Sequence, residues 1–416
     1  MFWKRLTAEE IKHRVFAALH ENMDYRKECV LGLPGTHLDE IEFYDDAPFL
    51  EQAAFLSAFI ANPNHIGCHT LQEGQGESAF KGTQKLEAEL INLCAEEIFG
   101  GPRGGQDGYV ASGGTEANIE AVWIYRNYYR EIFGAKDEQI AIVHSADSHY
   151  SISKAVNLLN IHAIILPVEE QTRMIQEVEA KHLLAKALGK GYKYFILVLN
   201  LGSTMFGSVD DIDMLTTLFE EEDLQFRIHI DAAFGGFIYP FTSTKNKFTF
   251  LNKHITSISI DAHKLLQAPY GTGIFLIRKG WMQYVKTAEA SYVPGTDYTL
   301  CGSRSGANAI AVWMILMGYG SEGWKEKMDG LIAKKKTLCT ELDHAGIRYF
   351  SQPYMNIITI PYSEIPEPVA HKYYLVPDTY GESPMWWKIV IMGHVKSGMM
   401  ERFIKDVLDY DIEPLL

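Results

Sequence analysis

The chain has 416 residues, more than one hydrophobic core ordinarily serves, so one large and one smaller domain is the natural division. Its 38 basic and 53 acidic residues give a formal net charge of −15, which argues against nucleic acid as a partner. No apolar run approaches the roughly 20 residues of a membrane span, Met1 to Arg5 opens no secretory signal, and the five cysteines, odd in number and without CxxC spacing, point to a reducing cytoplasm and no zinc site.

Residues 1–60 alternate short helical stretches with turns such as Gly32-Leu33-Pro34-Gly35 and are expected to form an N-terminal arm. Over 83–99, Leu86, Leu90 and Leu93 repeat at helical spacing, and Gly100-Gly101 ends the run. A second helix is expected over 119–133. Strand-like segments at 139–143, 162–167, 194–200, 227–230, 255–260 and 273–277 then alternate mostly with helical connections, which predicts an α/β domain over 61–315 with a mostly parallel central sheet. Residues 316–416 read as a smaller C-terminal α/β domain: an amphipathic stretch to His344, strands at 347–350, 357–361 and 387–392, and a last helix over 399–408.

Four segments carry candidate chemistry. Tyr109-Val110-Ala111-Ser112-Gly113-Gly114-Thr115 is a small-residue turn feeding a helix, which suits a phosphate and equally an ordinary capped turn. Ser145-Ala146-Asp147-Ser148-His149 offers a histidine that can stack on a heterocycle or simply face solvent. In Ile228-His229-Ile230-Asp231-Ala232-Ala233, Asp231 can pair with a protonated ring nitrogen while Ala233 leaves room for a flat ring, or Asp231 can cap a loop. Ser257-Ile258-Ser259-Ile260-Asp261-Ala262-His263-Lys264 ends in a lysine able to hold a carbonyl cofactor as a Schiff base, or to be a solvated charge. In open α/β sheets ligands collect at the carboxyl ends of the strands, where all four segments fall.

In that order these segments resemble the pyridoxal-phosphate-dependent amino-acid decarboxylases of the aspartate-aminotransferase fold type, known as fold type I. The turn Gly113-Gly114-Thr115-Glu116 is most similar to that of archaeal tyrosine and bacterial histidine decarboxylases. Further matches are Phe80-Lys81-Gly82-Thr83 leading to Glu87, Leu201-Gly202-Ser203-Thr204 leading to Asp210-Asp211, and Gly302-Ser303-Arg304-Ser305-Gly306, so the likeness spans roughly residues 60 to 315. It implies decarboxylation of an L-amino acid to its amine by a homodimer with shared active sites. Lys264 would hold the pyridoxal 5'-phosphate, Asp231 would keep its ring nitrogen protonated, and His149 would stack on the ring. Gly114, Thr115 and His263 would hold the phosphate, Ser303 would come from a partner subunit, and Thr204 would lie beside the ring. Tyr292 matches the family's loop tyrosine and would return a proton to Cα, with Tyr298 and Lys264 as alternatives.

Two departures stand out. Where relatives open a late strand with arginine, this chain has Lys388, which cannot form a bidentate fork with a carboxylate. His65 and His69 lack a third ligand at metal spacing and are expected to contact the substrate side chain or the cofactor. The same motifs admit a carbon–carbon lyase of the sphingosine-phosphate lyase type or an aminotransferase. A desulfurase would need a mobile nucleophilic cysteine, and Cys301 reads instead as a buried packing residue. The aromatic and histidine residues near the pocket favour an aromatic or imidazole substrate.

Overall fold

In the computed structural model the described residues are 29–32, 58, 62–68, 70–71, 80–287 and 296–410. Seven strands form the central sheet: β2 (Gln106–Ala111), β3 (Ile140–Ser145), β4 (His162–Leu166), β5 (Tyr194–Asn200), β6 (Gln225–Asp231), β7 (Ile255–Asp261) and β8 (Gly273–Arg278). Their order is β2-β8-β7-β6-β5-β3-β4. Only β8 runs against its neighbours. All residues of β2, β3 and β7 are buried, because helices cover both faces. The expected strand at 194–200 is reproduced residue for residue; the strand β2 was not anticipated, since Gln106, Asp107 and Gly108 hide its apolar half.

Helices α1 (Lys81–Asn92, extended by a wider-wound turn to Ile98), α2 (Gly114–Phe133), α3 (Ser151–Leu159), α4 (Glu177–Gly189) and α5 (Ile212–Glu221) pack on this sheet. The long helix α6 (Gly306–His344) is broken at Gly320, whose φ of 63° and ψ of 174° no helix accommodates. Beyond it β10 (Ile357–Pro361), β11 (Val376–Pro377) and β12 (Trp386–Val390) form a separate antiparallel sheet in the order β10-β12-β11, covered by α7 (Ser397–Leu408). The expected strand at 347–350 forms a single bridge, Phe350 to Thr359, because the chain turns at Gln352 and Pro353, whose carbonyls accept from the buried Lys335 ammonium. Within residues 29–32, Leu31 bonds Tyr373 and Val390 of this second unit through its backbone.

A short ribbon, β1 (Asn64–Ile66) paired with β9 (Ser303–Ser305), carries the start of α6 across to α1 and β2. It is held by a buried ionic cluster. Glu87 Oε1 accepts from Arg304 Nη1 at 2.5 Å and from the Val110 N–H at 2.8 Å, while Glu87 Oε2 lies 2.6 Å from His65 Nδ1. His65 Nε2 meets Thr83 Oγ1 at 2.8 Å. His65 is therefore fully buried in the scaffold and does not face a substrate, contrary to the expectation, and His69 lies outside the described residues. Arg304→Met would leave Glu87 without its guanidinium partner, so unfolding in urea should show a loss of about 3–5 kcal/mol.

Candidate active site

The carboxyl ends of β2, β7, β6, β5 and β3 meet at one edge, and register places Asp231 beside Asn200 on one side and Ser259 on the other. Lys264 sits one turn beyond β7, its Nζ 3.0 Å from Asp261 Oδ2. Asp261 Oδ1 accepts the Gly114 N–H at 2.6 Å, so one carboxylate ties this lysine to the positive end of α2. The sequence reading assigned Asp261 no role. His263 Nε2 is 3.6 Å from the same carboxylate, and burial pushes the histidine pKa below its usual value. His263 Nδ1 is buried with no hydrogen-bond partner.

The floor beside these groups is small by necessity. A Cβ on Gly273 would lie 2.5 Å from the Gly113 backbone, and one on Gly114 would lie 3.0 Å from Asp261 Oδ2 and 3.2 Å from Ala233 Cβ. Thr115 follows in the first turn of α2, half-buried.

Asp231 Oδ2 accepts from Asn118 Nδ2 at 2.8 Å and Oδ1 from the Ala233 N–H at 3.1 Å. His149 Nδ1 is 2.9 Å from Ser151 Oγ. Burial lowers the His149 pKa, the Asp231 charge opposes that shift, and the Lys264 charge adds to it, which places all three within one electrostatic neighbourhood. A cavity of about 460 Å³ opens on His149 and Thr204 and is walled by Arg173, Phe206, Trp386 and Lys388. Lys388 Nζ donates to the Thr204 carbonyl at 3.3 Å; burial, reinforced by the Lys264 charge, pushes its pKa down to about 8. Behind Asn200, burial pushes the Asp210 pKa up to about 7 although Asn200 donates to it twice.

Two candidates stand apart. Ser303 is exposed on the ribbon, where its hydroxyl accepts from Asn64 at 3.2 Å. Tyr292 lies outside the described residues, while Tyr298 packs against the apolar cluster under α2. Cys301 is exposed, not buried as expected, because it sits on the turn before β9; desolvation and the neighbouring Glu116 carboxylate raise its pKa, which disfavours a nucleophilic thiolate. Among the described residues no group of histidine, cysteine and acidic side chains could hold a metal.

The family model for the pyridoxal-dependent decarboxylase conserved domain matches residues 83–350. The chain belongs to the pyridoxal-dependent decarboxylases. A tryptophan decarboxylase of Clostridium sporogenes is 44% identical over 414 residues, covering 100% of this decarboxylase and 99% of the relative. An L-aspartate decarboxylase of Thermococcus kodakarensis is 30% identical over 346 residues, 78% of this chain and 82% of the relative. The fold is shared with the solved L-methionine decarboxylase of Streptomyces sp. 590 (TM-score 0.78, 18% identity, 97% and 95% of the two chains). It is shared equally with a sphingosine-1-phosphate lyase of Burkholderia pseudomallei (TM-score 0.79, 19% identity, 98% and 91%). This decarboxylase is thus an α/β enzyme of fold type I that acts on an amino acid with pyridoxal 5'-phosphate.

The residues fit that cofactor. An orphaned buried nitrogen on His263, a helix N terminus, a floor of glycines and Ala233, and an acid at the end of β6 are the groups that a phosphorylated pyridine needs. Gly114→Ala would push a methyl onto Asp261 and Ala233, so thermal unfolding of the cofactor-free protein should report a loss of about 1–3 kcal/mol.

Proposed function

We propose that this decarboxylase acts on an aromatic L-amino acid, tryptophan foremost, releasing carbon dioxide and the corresponding amine. The observation that carries this reading is one cavity in which His149 and Lys388 share walls with Phe206 and Trp386, whose rings meet edge to face at 5.4 Å. The Arg173 guanidinium, paired with Asp147, lies 3.9 Å over the Phe206 ring and stiffens that wall. The name of the 44% identical relative supports the same substrate.

Pyridoxal phosphate, when bound, supplies the electron sink that receives the bonding pair released at Cα. Lys264 would be the amine that anchors it, and Thr115 and His263, joined by Ser303 of a second subunit, would hold its phosphate over the Gly114 turn, whose own N–H is taken by Asp261. Asp231, oriented by Asn118 and Ala233, would keep a proton on the ring nitrogen. His149 would stack on the ring, and Thr204 would lie beside it. Lys388 pairs with the substrate carboxylate as a point charge. Tyr292, or Lys264 itself, returns the proton to Cα.

The working unit in this reading is a cytoplasmic homodimer. Tyr150 and Tyr270, 61% and 65% exposed beside His149 and His263, support a partner surface over the site, and five unpaired cysteines support a reducing compartment. The break at Gly320 and the separate core beyond it support a large unit over 61–315 and a small one over 316–416, preceded by an arm over 1–60.

The test is incubation of the cofactor-loaded protein with a panel of amino acids, with mass spectrometry following products lighter by one carbon dioxide. Tryptophan should lead the panel; a small acidic amino acid leading it would overturn the substrate assignment. Lys264→Ala should abolish both visible absorption and turnover. Because Lys388 loses its charge near pH 8, KM for the substrate should rise as pH increases through that value. Lys388→Met should raise KM about ten-fold or more at pH 7 and flatten its pH dependence, in line with the loss of one charge-assisted contact.

A further inference from the structure

Beneath the cavity runs a buried polar network that the proposed mechanism uses only at its ends. Asn118 on α2 is its centre: Nδ2 lies 2.8 Å from Asp231 Oδ2 and 2.9 Å from Ser151 Oγ, and Oδ1 lies 2.9 Å from His229 Nε2 and 2.7 Å from Ser259 Oγ. His229 Nδ1 meets Ser257 Oγ at 2.7 Å, and Ser257 Oγ meets the Tyr125 hydroxyl. Asn118, Ser151, His229, Ser257 and Ser259 are each at most 1% exposed, so every polar hydrogen here needs an acceptor.

The directions follow from chemistry alone. The Asp231 carboxylate only accepts, so the amide nitrogen of Asn118 faces it and the amide oxygen faces His229 and Ser259. His229 therefore carries its proton on Nε2, and burial, which pushes its pKa down to about 3, keeps Nδ1 bare to accept from Ser257. The second amide hydrogen of Asn118 goes to Ser151 Oγ, which leaves the Ser151 hydroxyl hydrogen for His149 Nδ1 at 2.9 Å. The Ser151 backbone N–H points at that same nitrogen from 3.2 Å. A nitrogen that receives two donors bears no proton.

We propose that Asn118 and Ser151 are positioning residues that fix His149 as the tautomer protonated on Nε2, so that it presents an N–H, and not a lone pair, to the substrate. His149 is then a hydrogen-bond donor in the cavity and not a base. One amide thereby orients both the acid assigned to the ring nitrogen and the histidine assigned to the ring face, and the inference rests on those two assignments. Hydrogen bonds to Nδ1 favour the neutral ring, so removing them lets His149 protonate at higher pH.

The test compares cofactor-loaded, full-length wild type with Ser151→Ala, Ser151→Thr and Asn118→Leu by the pH profile of kcat/KM and by nitrogen-15 NMR of labelled histidine rings. The charges facing His149 are Asp231 at the end of β6, Asp261 at the end of β7, Lys264 beyond it, Lys154 on α3, and Asp147, Glu170, Arg173 and Lys388 around the cavity. All of them remain in every variant, so a difference between profiles belongs to the network. Ser151→Ala and Asn118→Leu should move the acid limb up by about half to one pH unit and give a mixed tautomer signal. Ser151→Thr, which keeps the hydroxyl, should return the limb to its wild-type position. An unmoved acid limb in Ser151→Ala, or a wild-type His149 protonated on Nδ1, overturns the proposal; should Asn118→Leu fail to fold, Ser151→Ala decides alone. Wild-type turnover in His149→Gln and Asp231→Ala would instead remove the site assignments beneath it, a separate and recognisable result.

Discussion

The organisation of this enzyme depends on how α2 lies on the sheet. A helix buried on one face normally offers only apolar side chains to the strands below. Here Gly114, Asn118, Tyr125 and Tyr129 follow one another at spacings of four and seven along that face. Each is tied to the sheet by a polar contact: Gly114 to Asp261, Asn118 to Asp231, Tyr125 to Ser257, and Tyr129 to the Phe195 carbonyl at 2.8 Å. Dispersion and burial alone would let such a helix slide by a turn with modest loss, whereas directional bonds at four depths specify one position. The strand ends of β6 and β7 are thereby held in register with the N terminus of the helix that faces them.

Polar groups inside the molecule fall into two populations. The cluster of His65, Glu87, Thr83 and Arg304 and the network around Asn118 are almost completely satisfied, and both act as fasteners. Near the candidate site the accounting is incomplete: His263 Nδ1 has no partner, and Lys388, its pKa pushed down to about 8 by burial, has one carbonyl at 3.3 Å. A fold tolerates a deficit such as that of His263 where a ligand completes it, which agrees with the phosphate role assigned to this histidine.

Much of this was legible in the sequence. Strands such as 194–200 and 255–260 announce themselves by apolar and β-branched runs, and the residues at strand ends carry recognisable chemistry in Asp231, His263 and Lys264. What escaped reading was pairing across distance. Asn118 looks like any polar residue in a helix, yet its partners are 33, 113, 111 and 141 positions away. Arg304 and Glu87, 217 positions apart, were seen only as separate motifs, and His65 was misread for the same reason. The role of Asp261 depends on a backbone N–H 147 positions away, and the local sequence around Cys301 says nothing about which way its turn faces.

The bond from Gly114 to Asp261 also joins two elements that carry different parts of the site. The exposed N–H groups at the start of a helix ordinarily wait for an anion, and a site built that way is incomplete when empty. Here an internal carboxylate already occupies the first of them and simultaneously holds the Lys264 ammonium. The start of α2 and the segment after β7 are therefore joined through one side chain, so a change at Asp261 would be felt by the helix and by Lys264 at once.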